Sequence, residues 1–221
     1  DGRSVYAARP MTAATPLPEM VFGIAGPIGV DIDAIVETLG LALRAVGYTP
    51  LPIRLTQEMT AGLPAPALAE ADVYASSRAR MELGNSICEQ LGDRAALGRI
   101  GLRAIRAHRA GITGAAETPA PGVAYVIRQF KRPEEVELFR RVYGRRFVLV
   151  SAYGAVEQRH ALLREKLRRS QATTSRGSDL AHMADELIED DASDNRPFGQ
   201  RLRDTFHRGD VFIDGLVRQP M

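Results

Sequence analysis

The segment Met20–Ala25, Met-Val-Phe-Gly-Ile-Ala, is a continuous apolar run that breaks at Gly26-Pro27-Ile28-Gly29 and gives way to residues of helical spacing. A run of this length reads as a buried strand, and the glycine-rich turn as a sharp junction into a helix. Asp31 or Asp33 is placed to cap that helix, whose apolar set is Ile32, Ile35, Val36, Leu39, Leu43 and Val46 and which Gly47 ends.

The same alternation recurs along the chain. Residues 49–55 read as a second strand, with Pro50 and Pro52 favouring an edge or a strand end. Pro64 and Pro66 mark a loop. An alanine-rich helical pattern covers 67–91, with a break expected near Gly84-Asn85, and a second helix covers 94–108. Residues 111–122 read as a loop of small residues. A strand over 123–127 leads to a helix opened by Pro133, and a strand over 147–150 leads to a basic helix over 156–169. Residues 170–178 are small and polar and are expected to be mobile. An acidic helix over 179–191, a short helix over 198–206 and a strand over 211–213 complete the pattern. Strands separated by helices predict right-handed βαβ crossovers. The expected fold is therefore α/β, three-layer, with a mostly parallel sheet and flanking helices.

Composition excludes several classes of function. Arg and Lys total 29 against 27 acidic residues, so a net charge of +2 advertises neither a nucleic-acid nor a membrane surface. The basic side is nearly all arginine, since Lys131 and Lys166 are the only lysines. No apolar run reaches the ~18–20 residues of a membrane span. Cys88 is the sole cysteine, which fits a reducing, cytoplasmic setting. None of His108, His160, His182 and His207 is followed two residues later by Glu, and there is no Cys-x-x-Cys. A nucleobase-deaminase zinc site cannot be built from these residues.

A strand, a glycine turn and a helix N-terminus together present backbone N–H groups to an anion. Gly23, Gly26 and Gly29 occupy that place. A phosphate loop of the kinase or ATPase kind also needs a lysine and a Ser/Thr where the helix begins, whereas Val30, Asp31, Ile32 and Asp33 follow here. The loop is degenerate, and phosphoryl transfer without that cation loses its main charge stabilisation. A turn that serves only to join strand and helix fits the glycines equally well.

Two separated stretches carry a resemblance. Residues 23–33, Gly-Ile-Ala-Gly-Pro-Ile-Gly-Val-Asp-Ile-Asp, resemble the opening of antiphage dCTP deaminases, a branch of the deoxycytidylate deaminase family. Residues 198–214, Phe-Gly-Gln-Arg-Leu-Arg-Asp-Thr-Phe-His-Arg-Gly-Asp-Val-Phe-Ile-Asp, resemble the segment that closes the N-terminal domain of those proteins. Gly84-Asn85 and residues 128–136 fall in the matching order. The resemblance implies a P-loop nucleoside-kinase-like domain over 21–215, a tail over 1–20, and a tail over 216–221 leading to a C-terminal zinc deaminase domain outside this chain. It implies that zinc belongs to that absent domain, and that this chain serves antiviral nucleotide metabolism without itself being the hydrolase. Val30 departs from the threonine common in the family, which removes a hydroxyl from the loop.

On this reading nucleotide phosphates, with Mg2+, sit over Gly26, Ile28 and Gly29, flanked by Gly23, Val30 and Asp31. Arg128, Lys131, Arg132 and Arg159 replace the absent lysine. Arg159, Arg164 and Arg168 lie beside the expected lid over 170–178. Arg99, Arg103 and Arg106 share a helical face and form a candidate surface for RNA or, preferably, an acidic protein partner such as the helix bearing Asp185, Glu186, Glu189 and Asp190 in this chain or a neighbouring copy. The expected partners are a nucleotide and a second copy or a deaminase domain. An active kinase with a non-standard loop and an interaction module restraining a deaminase are the alternatives.

Overall fold

The computed structural model describes residues 17–60, 72–170 and 177–216. Five strands form one all-parallel sheet in the order β2-β3-β1-β4-β5. They are β1 (Met20–Ala25), β2 (Thr49–Arg54), β3 (Val123–Arg128), β4 (Phe147–Tyr153) and β5 (Val211–Asp214). Helices α1 (Ile32–Ala45), α2 (Leu55–Thr60), α3 (Val73–Gln90), α4 (Ala96–Thr113), α5 (Pro133–Tyr143), α6 (Val156–Ser170), α7 (Gly177–Ala192) and α8 (Leu202–Phe206) connect and cover them. A 3-10 turn, Gly144–Arg146, joins α5 to β4.

β1 lies at the centre, registered Met20 to Ala124 on one side and Val21 to Phe147 on the other. Its inward residues divide between two cores. Val21, with Tyr125, Ile127 and Leu149, packs beneath α2 to α5 around a ring cluster of Phe130, Phe139 and Phe147. Ile24, with Val126 and Val150, packs against Ile32 and Leu43 of α1. Burial on both faces is why these strands read as unbroken apolar runs rather than alternating ones. β2 is an edge strand, and Pro50 and Pro52, two apart, share one side of it, so their missing N–H groups face the free edge. A third, satellite core joins α6 and α7 through Leu163, Leu167, Leu180, Ala184 and Leu187, and Ile28 of the glycine turn packs on it.

Several boundaries differ from the pattern read in sequence. α3 runs unbroken through Gly84 and Asn85. Gly84 is a contact point rather than a breaker: a Cβ there would lie 3.3 Å from Leu97 Cδ1 of α4. α4 continues past 108 to Thr113, where Gly114 at φ 80° closes it with a bond to Ala110 O, so residues 111–113 are helix rather than loop. α2 begins at Leu55, directly after β2. Only 202–206 of the 198–206 segment is helical, because Phe198–Arg201 spends its backbone on other partners, including the Arg201 N–H to Lys131 O bond of 2.9 Å. The expected mobile stretch lies mainly outside the described residues, as do 67–71 of the alanine-rich segment.

Candidate anion-binding site

The loops following β1, β3 and β4 converge at the C-terminal edge of the sheet centre, where open α/β sheets place their ligands. The tight turn of residues 26–29 depends on two of its glycines. Gly29 has φ 95°, and a Cβ there would come 2.8 Å from Arg159 Cβ; a Cβ on Gly26 would come 2.9 Å from Ile32 Cδ1. The two amides that follow the turn are both engaged. Val30 N–H donates to Pro27 O at 3.3 Å and Asp31 N–H to Gly215 O at 3.3 Å. The Asp31 carboxylate caps α1 by accepting the Ala34 N–H at 3.0 Å. Asp33, which would repel a phosphate, is instead engaged by Arg54 at 3.2 Å and by Arg128.

The Ile28 amide points elsewhere. It donates to Asp191 Oδ2 of α7 at 2.7 Å, while Asp191 Oδ1 accepts from Lys131 Nζ at 2.7 Å. Lys131 Nζ also donates to Gly26 O at 2.7 Å. The turn thus holds an oxyanion with the help of an ammonium group, and both come from distant parts of the chain. Asp191 is 2% exposed and Lys131 8%. On the other side Arg159 donates to Gly154 O at 3.0 Å and to Ile28 O at 3.1 Å, stapling the loop after β4 to the turn. Burial lowers the Arg159 guanidinium from its ordinary value, with Asp191 opposing the shift.

Arg132 does not face the turn. It is 1% exposed and donates to Phe198 O at 3.1 and 3.0 Å, to Glu135 Oε1 at 3.3 Å and to Asn85 Oδ1. Glu135 in turn accepts the Lys131 and Arg132 N–H groups at 2.9 and 3.2 Å. Burial raises the Glu135 carboxyl, and the Arg132 charge opposes that. This buried knot joins α3, α5 and residues 194–201, and it places Lys131 beside the turn.

The structure therefore brings Gly26, Ile28, Gly29, Lys131 and Arg159 to one place. Gly23 lies inside β1, where a Cβ would come 2.7 Å from Phe130 Cε2, so its smallness admits that ring. Val30 packs its side chain with the α1 core. Arg128 is drawn to Asp33 rather than to the turn, and Arg168 pairs with Glu165 at 2.8 Å on its own helix. Arg99, Arg103 and Arg106 line an exposed face of α4, with Arg99 held by Asp93 at 2.6 Å and Arg106 by Glu117 at 2.9 Å. The acidic helix meets α3 and α6, through Arg78–Asp190 at 3.4 Å and His160–Asp185 at 3.2 Å, not the α4 arginines. Asp191 is the residue that sequence reading passed over as one more acid. Its signal was positional: Leu180, Ala184, Leu187 and Asp191 follow 4, 3 and 4 apart, which sets a carboxylate on the apolar face of α7.

Among the described residues no group of three or more His, Cys, Asp and Glu gathers as a metal site. Val30 offers no hydroxyl at the start of α1, and Asp31 Oδ1 accepts the cap bond. No described helix is long and apolar enough to cross a membrane.

No protein-family model matches the sequence, and no curated protein matches it. Similar solved structures include a shikimate kinase from Bacteroides thetaiotaomicron, with TM-score 0.40 and 12% identity over 89% of this chain and 86% of that one. A shikimate kinase from Acinetobacter baumannii in complex with shikimate gives 0.42 and 13% over 92% and 86%, and a gluconokinase from Sinorhizobium meliloti 1021 gives 0.38 and 14% over 93% and 86%. At these values the chemistry of the site rests on its own residues.

Proposed function

We propose that this chain is a nucleotide-binding regulatory domain without phosphoryl-transfer activity, of the kind that opens antiphage deoxycytidine-nucleotide deaminases, and that deamination belongs to a partner domain or protein holding the zinc. The observation that carries the reading is the oxyanion at the glycine turn, bound by the Ile28 amide at 2.7 Å and the Lys131 ammonium at 2.7 Å. A backbone amide at a strand-to-helix turn with a cation alongside is the elementary phosphate site. The spatial meeting of the resembling stretches adds support. Residues 26–31 form the turn, Lys131 flanks it, and the neighbouring Arg132 joins Asn85 to Phe198 O. The valine in place of a loop hydroxyl at Val30 argues for binding without turnover.

Calorimetric titration of NTPs and dNTPs, with and without Mg2+, tests this on wild type and on Lys131→Met. Binding by at least one nucleotide is expected, weakened tenfold or more by Lys131→Met. The melting point should rise with ligand, since a hundredfold excess over Kd stabilises by about 2.7 kcal/mol. Equal affinity in Lys131→Met would move the site elsewhere, and no binding to either protein would remove the reading.

An active kinase is the second reading. It is favoured by Lys131, whose ammonium stands at the turn although the loop itself has no lysine. Phosphate transfer from ATP to nucleosides or their monophosphates would establish it, and absence of turnover at saturating ATP would end it.

A further inference from the structure

We propose that Asp191 is an internal stand-in for the ligand's phosphate, a carboxylate latch that closes the turn until the C-terminal end of α7 withdraws. This rests on the nucleotide-binding reading and adds its regulation.

Three observations carry it. Both oxygens of Asp191 are engaged, one on the Ile28 amide and one on Lys131, so the Lys131 ammonium and the Ile28 amide are already in use. A phosphate placed there would bring a second anion into the same buried contact, and like charges at that range exclude one another. The second observation is the location of the acid. Asp191 continues the apolar stripe of α7, so the helix packs only where the turn accepts the carboxylate. The third is the exposure of several polar ties of α7: the Tyr74–Glu186 hydrogen bond and the Arg78–Asp190 and His160–Asp185 pairs are all partly or largely exposed, and such pairs contribute little.

Withdrawal would also be felt beyond the site. Asp194, three residues on, accepts from Asn85 Nδ2 at 2.8 Å, and its N–H donates to Gln200 O at 2.9 Å. Arg201 N–H donates to Lys131 O. Displacing Asp191 therefore pulls on the 194–201 segment, which offers a route by which occupancy of the turn reaches α5 and α8. The apparent affinity of a latched site is the intrinsic one reduced by the fraction of open molecules, so neutralising the latch should tighten binding.

The test is equilibrium binding of ATP, dCTP and inorganic tripolyphosphate to the full chain as wild type and as Asp191→Asn, with circular dichroism confirming the fold. Tenfold or greater tightening in Asp191→Asn is expected for the nucleotide that wild type binds. If Asp191→Asn fails to fold, Tyr74→Phe combined with Arg78→Gln loosens α7 without touching the turn and should tighten binding severalfold. Unchanged or weaker affinity in the folded variants, with wild type binding normally, overturns the latch and leaves the nucleotide reading standing. No binding of any probe to any variant overturns both.

Discussion

Replacing Arg132 by Met tests whether the buried knot beside the turn is an ion pair that the fold depends on. The guanidinium is 1% exposed and Glu135 is fully buried, so the substitution leaves a carboxylate without its countercharge. It also strips donors from Phe198 O and Asn85 Oδ1. Breaking one partner of such a pair costs about 3–5 kcal/mol, a large share of the roughly 5–15 kcal/mol that stabilises a domain. Urea unfolding at pH 7 reads the loss directly, and melting should fall by about 10 °C at roughly 2–4 °C per kcal/mol. The sign of the pH dependence is a second check. Without Arg132, burial raises Glu135 further above its unfolded value of about 4.3. A carboxyl raised in the fold contributes its stability below the unfolded pKa and loses it as pH rises through the folded one. The gap between variant and wild type should therefore narrow near pH 4 and widen towards neutrality. Arg132→Met with Glu135→Gln keeps an acceptor for the Lys131 and residue-132 amides while removing the stranded charge, and should recover at least half the loss. A cost below about 1 kcal/mol, a pH-independent cost, or a double variant no better than the single one would refute the reasoning.

Gly29→Ala forces a Cβ onto a backbone at φ 95° and within 2.8 Å of Arg159 Cβ; urea unfolding should show a loss of about 1–3 kcal/mol, and a neutral result would mean that the turn relaxes freely. Phe139→Ala opens a void against Phe130 and Phe147 in the main core, and the same assay should read about 3–5 kcal/mol. Tyr125 and Tyr143 are both pushed up to about 12, chiefly by burial. Because the fold prefers them neutral, their contribution is complete below about pH 10 and is lost as pH rises towards 12. Tyrosinate absorbance should show Tyr125 and Tyr143 among the late-ionising groups, accompanied by alkaline unfolding; ionisation of all tyrosines near their ordinary value would contradict it.

The elements were legible where short-range chemistry sets them. Residues 20–25 and 123–127 have no polar position to turn towards water, Asp31 stands where a helix needs an acceptor, and Pro133 stands where a helix tolerates the loss of an N–H. Two of the misread boundaries share one cause. Gly84 and Gly111 signal a break by local propensity, but Gly84 lets α4 pack closely and Gly111 lies on a helix that is held elsewhere by its buried face.

The site divides along the same line. Its glycine turn is written locally, because a φ of 95° is a property of a few consecutive residues. The occupant of that turn is not. Ile28 and Asp191 lie 163 positions apart, and Lys131 lies 105 from Gly26. Sequence set the strands, the caps and an acid on the apolar face of a helix. Only the parallel sheet, by bringing the ends of β1 and β3 side by side and laying α7 across them, decided which charge meets which amide. Coulomb attraction depends on distance through space, and separation along the chain does not encode it.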